Sequence, residues 1–206
     1  DQKGILLHND FKRYAFRANS EFDVLDKLRF GENLQFTYRS VLGLSGDGGG
    51  SGVADDENDI LSAFRIPSIT PVYDVFGGYA GTTASGFNNP RNPVASRDGL
   101  KDNKAFEASA FGNIYLEYDL FPGLTLRSSL GGGYRNYVAR SFGRWQYENS
   151  ENNSAFSYGQ SNGYSFNWVF TNTANYKQTF DVHSIDILVG QEALNTGQGW
   201  NDSQNG

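Results

Sequence analysis

The sequence predicts an all-β protein, an antiparallel up-and-down segment of a transmembrane β-barrel with long extracellular loops. First, apolar and polar residues alternate with period 2 over stretches much longer than an ordinary strand of about 5–6 residues. Second, the connections between these stretches are alternately short and long, so that all short turns fall at one end of the sheet. Third, the chain contains 12 Tyr, 16 Phe and 25 Gly but only 5 Pro, which favours strands joined by polar loops.

The first two predicted strands form a hairpin. In the stretch 11–24 every second residue from Tyr14 to Val24 is apolar, and this row is interrupted only at Ser20. After a polar turn at 25–27 the alternation returns over 28–42, with interruptions at Glu32 and Ser40. Two long alternating stretches around a tight turn predict a hairpin. A strand that crosses a bilayer obliquely needs about 9–11 residues, so each stretch is long enough to cross.

The alternation then stops over residues 43–104, which we predict to be a long extracellular loop. The loop contains the run GLSGDGGGSG, the acidic patch DDEND and a short helix predicted near 59–65 that Pro67 ends. An EF-hand starting at Asp55 would need glycine where Ile60 stands. The acidic patch is therefore interpreted as a flexible loop.

Four further strands are predicted after this loop. The third covers about 106–120, the fourth starts at Leu124, the fifth starts at about Tyr164, and the sixth is SIDILVGQE at 184–192. The connection at 143–163 is predicted to be a second extracellular loop. The last residues, LNTGQGWNDSQNG, are polar and rich in glycine, and no strand is predicted there.

About six strands are too few for a membrane barrel of its own. Bacterial barrels start at about eight strands, and an open edge in lipid would leave backbone groups unpaired at high cost. The opening QKGI also has the character of the end of an earlier strand. We therefore interpret residues 1–206 as part of a larger barrel. Two alternatives remain open: a soluble or surface-anchored β-sandwich that binds carbohydrate, and a porin-like diffusion channel.

Three stretches contain motifs that resemble one family, the SusC/RagA family of TonB-dependent transporters of Bacteroidetes. They are QKGILLHNDFKRYAFRANSEFDVLDKLRFGENLQFTY, AFRIPSITPVYDVFGGYAG and NWVFTNTANYKQTFDVHSIDILVGQEA. Each motif is weak alone, but together they cover residues 2–193 in the expected order. The first stretch carries the family's motif residues Gln2, Gly4, Ile5, Arg13, Arg17, Asn19, Leu28, Gly31, Asn33 and Leu34.

The resemblance implies a 22-stranded barrel in the bacterial outer membrane, with an internal plug. It implies import of oligosaccharides or peptides, driven through the TonB complex, and a SusD-like surface lipoprotein that covers the barrel. No plug domain and no TonB box are recognised in this sequence. We therefore expect this chain to form barrel wall in contact with membrane lipid, rather than to transport by itself.

Other function classes have little support. The net charge is −6 and no basic run is present, so no nucleic-acid partner is expected. Cysteine is absent, the only histidines are His8 and His183, and neither a nucleophile elbow nor a phosphate-binding glycine loop occurs. We predict no enzyme activity, no catalytic residue, no metal site and no cofactor.

Two sets of residues are candidates for function. The loop set consists of aromatic, amide and arginine side chains, which could stack on sugars or hydrogen-bond to them, contact the covering lipoprotein, or pack the loops together. The second set follows the polar rows of the strands and is expected to face the barrel lumen, where ion pairs with carboxylates such as Glu21 or Glu117 are favoured over substrate contact. The loop set is Tyr73, Tyr79, Phe87, Asn88, Arg91, Trp145 and Tyr147. The lumen set is Arg13, Arg17, Asn33, Arg39, Asn113 and Glu117.

Overall fold

A computed structural model describes residues 1–42, 59–87, 89–149 and 154–206. The described residues form one seven-stranded sheet in the order β1 to β7, and every strand is antiparallel to its neighbours. Two short helices, α1 and α2, lie between β3 and β4. The elements are β1 Gln2–Lys3, β2 Asp10–Leu25, β3 Leu28–Leu42, α1 Asp59–Arg65, α2 Pro93–Gly99, β4 Lys104–Phe121, β5 Leu124–Gly143, β6 Ser157–Phe180 and β7 His183–Asn205.

This architecture confirms the predicted up-and-down antiparallel fold. The sheet is open, with β1 and β7 at its edges. Among the described residues, the fully buried apolar side chains are those of Ala95 and Pro90, which lie in or just before α2 rather than in the sheet. A β-sandwich packs two sheets face to face over an apolar core, and the described part of the chain has neither a second sheet nor such a core.

The sheet has two chemically different faces, because successive side chains of a strand point to opposite sides. We call them the apolar face and the polar face. Across the sheet the register aligns apolar residues with one another, for example Phe16, Phe36, Ala110, Tyr134 and Phe166. The apolar side chains are largely exposed, as the 63 % exposure of Phe16 shows. A face of this kind requires an apolar environment.

The height of the apolar face matches a bilayer. On β3 its rows extend from Leu28 to Tyr38, which corresponds to about 33 Å along the strand at roughly 3.3 Å per residue. With the strand tilt of about 40° found in membrane barrels, this length corresponds to a band about 25 Å tall. Tyr14 and Tyr38 lie at one margin of the band, with stacked rings 6.5 Å apart. Aromatic residues at this height are typical of the membrane–water interface.

The two ends of the sheet differ in their connections. The turns at 26–27, 122–123 and 181–182 lie at one end, which we call the turn end. The long connections β3–β4 and β5–β6 lie at the other, the loop end. A connection of residues 4–9 also lies at the loop end, between β1 and β2. The predicted segregation of short and long connections is therefore present.

The structure differs from the predictions near the C-terminus. β6 begins at Ser157 rather than at Tyr164, so the second loop is shorter than 143–163. β7 continues to Asn205, whereas the sequence predicted no strand after Glu192. The composition explains this difference, because residues 194–205 contain only Leu194 and Trp200 as apolar side chains and so show no alternation. The register of β7 also shifts at Thr196 and Gly197, between the pairs Trp168–Asn195 and Phe166–Gln198, which changes the face to which its later residues point.

The helices agree only in part with the predictions. α1 has the predicted position, but the sequence reading missed α2, which follows the turn-rich run FNNPRNP. Neither helix of the described residues is long or apolar enough to span a membrane. Most of the acidic patch DDEND and the glycine-rich run before it lie outside the described residues.

Candidate functional site

The chemistry of the chain is concentrated in two places, the loops at the loop end and the polar face of the sheet. We call residues 59–87, 89–103 and 144–149 together the loop cluster. The sequence assigned candidate residues to both places.

Asn92 organises the loop cluster. It is 2 % exposed, and its side-chain oxygen accepts hydrogen bonds from the backbone N–H groups of Val94 and Ala95, at 3.0 and 3.2 Å. Its amide nitrogen donates to the carbonyl oxygens of Val72 and Ala80, at 2.9 and 2.7 Å. One side chain therefore caps α2 and binds two segments of the preceding loop to it, at Val72 and at Ala80. The sequence reading did not select Asn92, although asparagine followed by proline is a recognised helix start.

A buried ion pair connects the two helices. Arg97 of α2 and Asp59 at the start of α1 are paired at 3.3 Å, and each side chain is 4 % exposed. The Nε atom of Arg97 also donates to the carbonyl oxygen of Leu7, at 2.9 Å. The connection between β1 and β2 is thereby attached to α2. Removing either partner of such a pair leaves a buried charge uncompensated, so we assign Arg97 and Asp59 a structural role.

Tyr79 lies where several parts of the loop cluster meet. Its hydroxyl donates to the carboxylate of Asp98, its backbone N–H donates to the hydroxyl of Tyr147 at 2.7 Å, and its ring stacks on that of Tyr73 at 5.5 Å. The hydrogen bond to Asp98 is the main reason that the pKa of Tyr79 is raised to about 12. The same hydrogen bond, together with one from His8 at 2.7 Å, lowers the pKa of Asp98.

Arg144 attaches the second loop to the first. Its guanidinium group pairs with Glu148, donates to the carbonyl oxygen of Ala95 at 3.3 Å and lies 5.3 Å from the ring centroid of Tyr79. A cavity of about 640 Å³ lies beside it, lined in part by Lys101 and Phe156. The loop cluster is therefore one packed unit with an open cavity at its margin.

The structure brings four of the seven predicted loop residues together. The ring of Tyr73 stacks on that of Tyr79, and the backbone N–H of Tyr79 donates to the hydroxyl of Tyr147. The ring of Tyr147 in turn lies edge-on to that of Trp145, at 6.0 Å. Phe87 and Arg91 lie elsewhere in the loop cluster, and Asn88 is outside the described residues. The hydroxyl of Tyr79 is engaged in the protein itself, which supports the packing interpretation for this residue. Contact of the set with substrate or lipoprotein stays a prediction.

The most exposed apolar group of the loop cluster was not among the predicted site residues. Val75 and Phe76 are 92 % and 95 % exposed and form the tip of a tight turn. Asp74 fixes this turn, because its carboxylate accepts from the N–H groups of Phe76 and Gly78, at 2.8 and 2.9 Å. Gly77 supplies a φ of 86° that other residues rarely adopt. Val75 and Phe76 form what we call the apolar tip.

On the polar face, arginine and glutamate side chains form two networks. Near the loop end, Glu107 accepts from Arg39 at 2.6 Å and from Arg135 at 2.5 Å. Near the turn end, Glu117 pairs with Arg29 and lies 3.6 Å from Arg127. Ion pairing with strand carboxylates therefore holds for Arg29, Arg39, Arg127 and Arg135, of which Arg39 alone belongs to the predicted lumen set.

The other predicted lumen residues share this face. Asn33 donates to Asn113 at 3.2 Å, and Arg17 donates to the side-chain oxygen of Gln35. Arg13 lies opposite Arg39 in the register, and none of the carboxylates that the structure describes is within ion-pair distance of it. All six predicted residues thus lie on one face, and we treat their position in the lumen as a proposal below. In the described ranges, no three His, Asp or Glu side chains are close enough to bind a metal ion together.

An open antiparallel sheet with one apolar and one charged face defines a class, the wall of a membrane β-barrel. Comparison with known proteins refines this class. The chain is 25 % identical over 194 residues to TonB-dependent receptor P39 of Formosa agariphila, covering 92 % of this chain and 17 % of that receptor. It is 23 % identical over 145 residues to TonB-dependent receptor P26 of the same organism, covering 69 % of this chain and 13 % of that receptor.

The fold is also similar to that of solved structures. The fold matches the RagAB peptide importer in its closed-closed state with a TM-score of 0.67 and a second RagAB peptide transporter structure with 0.69. Both matches have 22 % identity and cover 96 % of this chain and 22 % of the matched chain. No family model matches the chain.

These comparisons confirm the predicted resemblance to TonB-dependent receptors and the barrel fold. The predicted location in the outer membrane is confirmed with them, since TonB-dependent receptors are outer-membrane proteins. The chain spans less than a quarter of each matched protein. The activity, cargo and partners of the whole protein are therefore matters for proposal.

Proposed function

We propose that this chain forms part of the barrel wall of a TonB-dependent outer-membrane importer. The apolar face contacts lipid, and the polar face lines the lumen. The observation that carries this proposal is the apolar band across the sheet, whose height of about 25 Å fits a bilayer and whose rows are aligned in register from β2 to β6. The wall has a passive role and makes or breaks no bonds.

The cargo that we propose is a peptide or an oligosaccharide. The peptide is favoured by the similarity in fold to RagAB, which is described as a peptide importer. A carboxamide row on the polar face, made of Asn19, Asn33 and Asn113 in register, supports either cargo. Side-chain amides both donate and accept hydrogen bonds, and peptide groups and sugar hydroxyls do the same.

We also propose a SusD-like surface lipoprotein as partner, and we place its contact at the apolar tip. An apolar pair exposed to this degree on a rigid turn has the character of an interface anchor, because it loses little conformational freedom on binding. The TonB complex would act through parts of the full-length protein that this chain does not contain.

Nutrient uptake in the source organism tests the importer proposal. Three strains are compared: the parent, a deletion of the gene, and a strain with inactive TonB. Each grows on a defined peptide mixture or on a defined oligosaccharide mixture as the limiting nutrient. We expect the deletion to reproduce the growth defect of the TonB strain on one of the two mixtures. A full-length protein recovered in the water-soluble fraction, with normal growth of the deletion strain, would refute the proposal.

A matched pair of variants tests the lipoprotein contact. Phe76→Ser removes the ring at the apolar tip, whereas Phe156→Ser removes a ring that is 77 % exposed in the other loop. The amount of lipoprotein that co-purifies with the full-length protein is measured for each. We expect a clear loss for Phe76→Ser only. Equal recovery from the two variants would show that the partner binds elsewhere.

A further inference from the structure

The charges of the polar face are distributed unevenly between the two ends of the sheet. The pair Asn33 and Asn113 divides this face near its middle. Towards the loop end it carries four arginines and one carboxylate; towards the turn end, carboxylates outnumber cations six to three. The loop-end charges are Arg13, Arg17, Arg39, Arg135 and Glu107. The turn-end charges are Glu21, Asp23, Arg29, Glu117, Asp119, Arg127, Lys177, Asp186 and Glu192.

Near the loop end a single carboxylate serves two cations. The Oε2 atom of Glu107 accepts from Nη2 of Arg39 at 2.6 Å and from Nε of Arg135 at 2.5 Å. Those two arginine side chains are 44 % and 53 % exposed. Because both contact the same oxygen atom, their positive charge is only partly compensated, and both are accessible from the open side of the sheet.

Arg13 adds a further positive charge at this height. It lies directly across from Arg39 in the β2–β3 register, and like charges in that position destabilise a sheet. No carboxylate of the described residues is close enough to compensate Arg13. An external anion would relieve the repulsion between the two arginines.

The surface at this point is concave. A depression of about 290 Å³ is lined by Arg39, Glu107, Arg135 and Tyr137, with small residues such as Ala105 between them. The hydroxyl of Tyr137 donates to Asn201 at 2.7 Å, which fixes the position of its ring. The depression combines the guanidinium groups of Arg39 and Arg135 with apolar neighbours such as Val41, and its volume is sufficient for a carboxylate with its adjoining carbon atoms.

We propose that this depression, the loop-end basic site, binds a carboxylate group of the transported solute. The inference rests on the proposed importer function and adds that the preferred solutes are acidic. The solute carboxylate would accept charge-assisted hydrogen bonds from Arg39 and Arg135, in competition with Glu107. Because the site lies at the loop end, it meets a solute early on its way into the lumen, and the acidic turn end does not retain that solute.

Two pairs of probes separate the sources of the carboxylate. Tetraglutamate is compared with tetraglutamine, and trigalacturonic acid is compared with galactotriose. Binding to the full-length protein is measured in detergent by calorimetry at low and high salt. We expect an acidic probe to bind about tenfold more tightly than its neutral counterpart at low salt, with the preference lost at high salt. The pair that shows the preference identifies an acidic peptide or a uronic-acid oligosaccharide.

Variants with opposite expected effects test the site itself. Arg135→Gln should abolish most of the preference, whereas Glu107→Gln should increase the affinity for the acidic probe severalfold, because it removes the competing carboxylate. Arg140→Gln is the control, since Arg140 lies on the same strand but on the opposite face, where its Nε donates to Gln160. A purely structural role for the network would instead lower the thermal stability in both the Glu107 and the Arg135 variant and leave the preference unchanged.

The possible failures can be told apart. Absence of any acid preference in the unaltered protein overturns this inference, as does an equal effect of Arg135→Gln and Arg140→Gln. Neither outcome affects the importer proposal, which depends on TonB-dependent growth. The electrophoretic mobility of unheated samples, which distinguishes a folded barrel from an unfolded one, is checked for each variant before binding is measured.

Discussion

The ring of Tyr115 on β4 lies across Gly31 on β3. A Cβ atom at residue 31 would be only 2.1 Å from the Cζ atom of that ring. The hydroxyl of Tyr115 thereby reaches over β3 and donates to Glu21 on β2, at 2.6 Å. Arg127 of β5 covers the ring at 3.9 Å from its centroid. A missing side chain on one strand thus permits a connection among four strands.

We expect Gly31→Ala to displace the ring of Tyr115 and to break its hydrogen bond to Glu21. A hydrogen bond to a charged group contributes about 1.5–3 kcal/mol, and the low end of that range applies to this open surface. The free energy of unfolding of the full-length protein in lipid is measured for Gly31→Ala, Tyr115→Phe and the double variant. Strict additivity of the two single effects would show that Gly31 is not required for the hydrogen bond.

Arginine substitution at two adjacent residues of β5 tests the assignment of the faces. Leu130 lies on the apolar face, and Ser129 lies on the polar face, near Asn113. Arginine on the lipid face near the bilayer midplane costs about 2–4 kcal/mol, so Leu130→Arg should reduce membrane insertion. Ser129→Arg should be tolerated. The amount of folded protein in the outer-membrane fraction is measured, and equal damage by the two changes would contradict the assignment.

The carboxylate of Glu32 interrupts the apolar face at about half its height. In the register it lies between Ser20 on β2 and Ile114 on β4. A charged group in this position is unfavourable in lipid, so we expect Glu32→Leu to stabilise the barrel by less than the roughly 2 kcal/mol typical of a basic side chain at this depth. Stability in lipid vesicles is compared for Glu32→Leu and Glu32→Gln. A loss of stability in both would indicate that Glu32 has a partner in the full-length protein.

The hydrogen bond between Tyr79 and Asp98 makes the packing of the loop cluster dependent on pH. The pKa of Asp98 is lowered in the folded protein, so its contribution is complete above its unfolded value of about 3.9 and is lost as the pH falls through the folded value. The pKa of Tyr79 is raised to about 12. Its contribution is therefore complete below about 10 and is lost as the pH rises through 12.

Fluorescence of Trp145, which is in contact with Tyr147, reports this packing when Trp168 and Trp200 are replaced by Phe. We expect one transition at acidic pH and one at strongly alkaline pH. Asp98→Asn should remove the acidic transition, and Tyr79→Phe should remove the alkaline one. An acidic transition that persists in Asp98→Asn would assign it to another carboxyl group.

Asn92 should be the most sensitive residue of the loop cluster. Asn92→Ala removes the cap of α2 and both side-chain hydrogen bonds, to the carbonyl oxygens of Val72 and Ala80. The carbonyl oxygen of Val72 keeps the backbone N–H of Ala80 as a donor, at 3.1 Å. Loss of a cap costs about 1 kcal/mol, and one carbonyl left without its donor costs about 1–3 kcal/mol more. Asn92→Ser should keep the cap and lose the two other bonds. Cleavage of residues 59–103 by added protease is expected to be fastest for Ala, intermediate for Ser and slowest for Asn; identical rates would exclude the proposed role.

Strand positions could be predicted from the sequence wherever the alternation was uninterrupted. β2 and β3 are examples, because one face of each is apolar along almost its entire length. β7 was predicted only as far as Glu192, because residues 194–205 are polar and contain only two apolar side chains, Leu194 and Trp200. α2 was missed because its start lies in the run FNNPRNP, whose asparagines and prolines are equally typical of turns.

For the candidate residues, too, the sequence predicted local features but not contacts between distant parts of the chain. The polar-row arginines could be placed on one face from their spacing alone, since the period of a strand is fixed. Their partners could not, because Glu107 and Arg135 are brought to Arg39 only by the register of neighbouring strands. The contacts within the loop cluster were even harder to predict from the sequence. Asn92 bonds to Val72, which is twenty residues away in sequence, and no local pattern indicates that bond.

The bonds that join α2 to the β1–β2 connection have a kinetic consequence. His8 with Asp98 and Leu7 with Arg97 each link residues that are 90 positions apart, whereas the β2–β3 hairpin closes through a turn of two residues. Closing a long chain segment costs more entropy than closing a short one, and distant contacts form slowly. The hairpins should therefore assemble first. The contacts of the loop cluster should form last, after the register of the sheet is established.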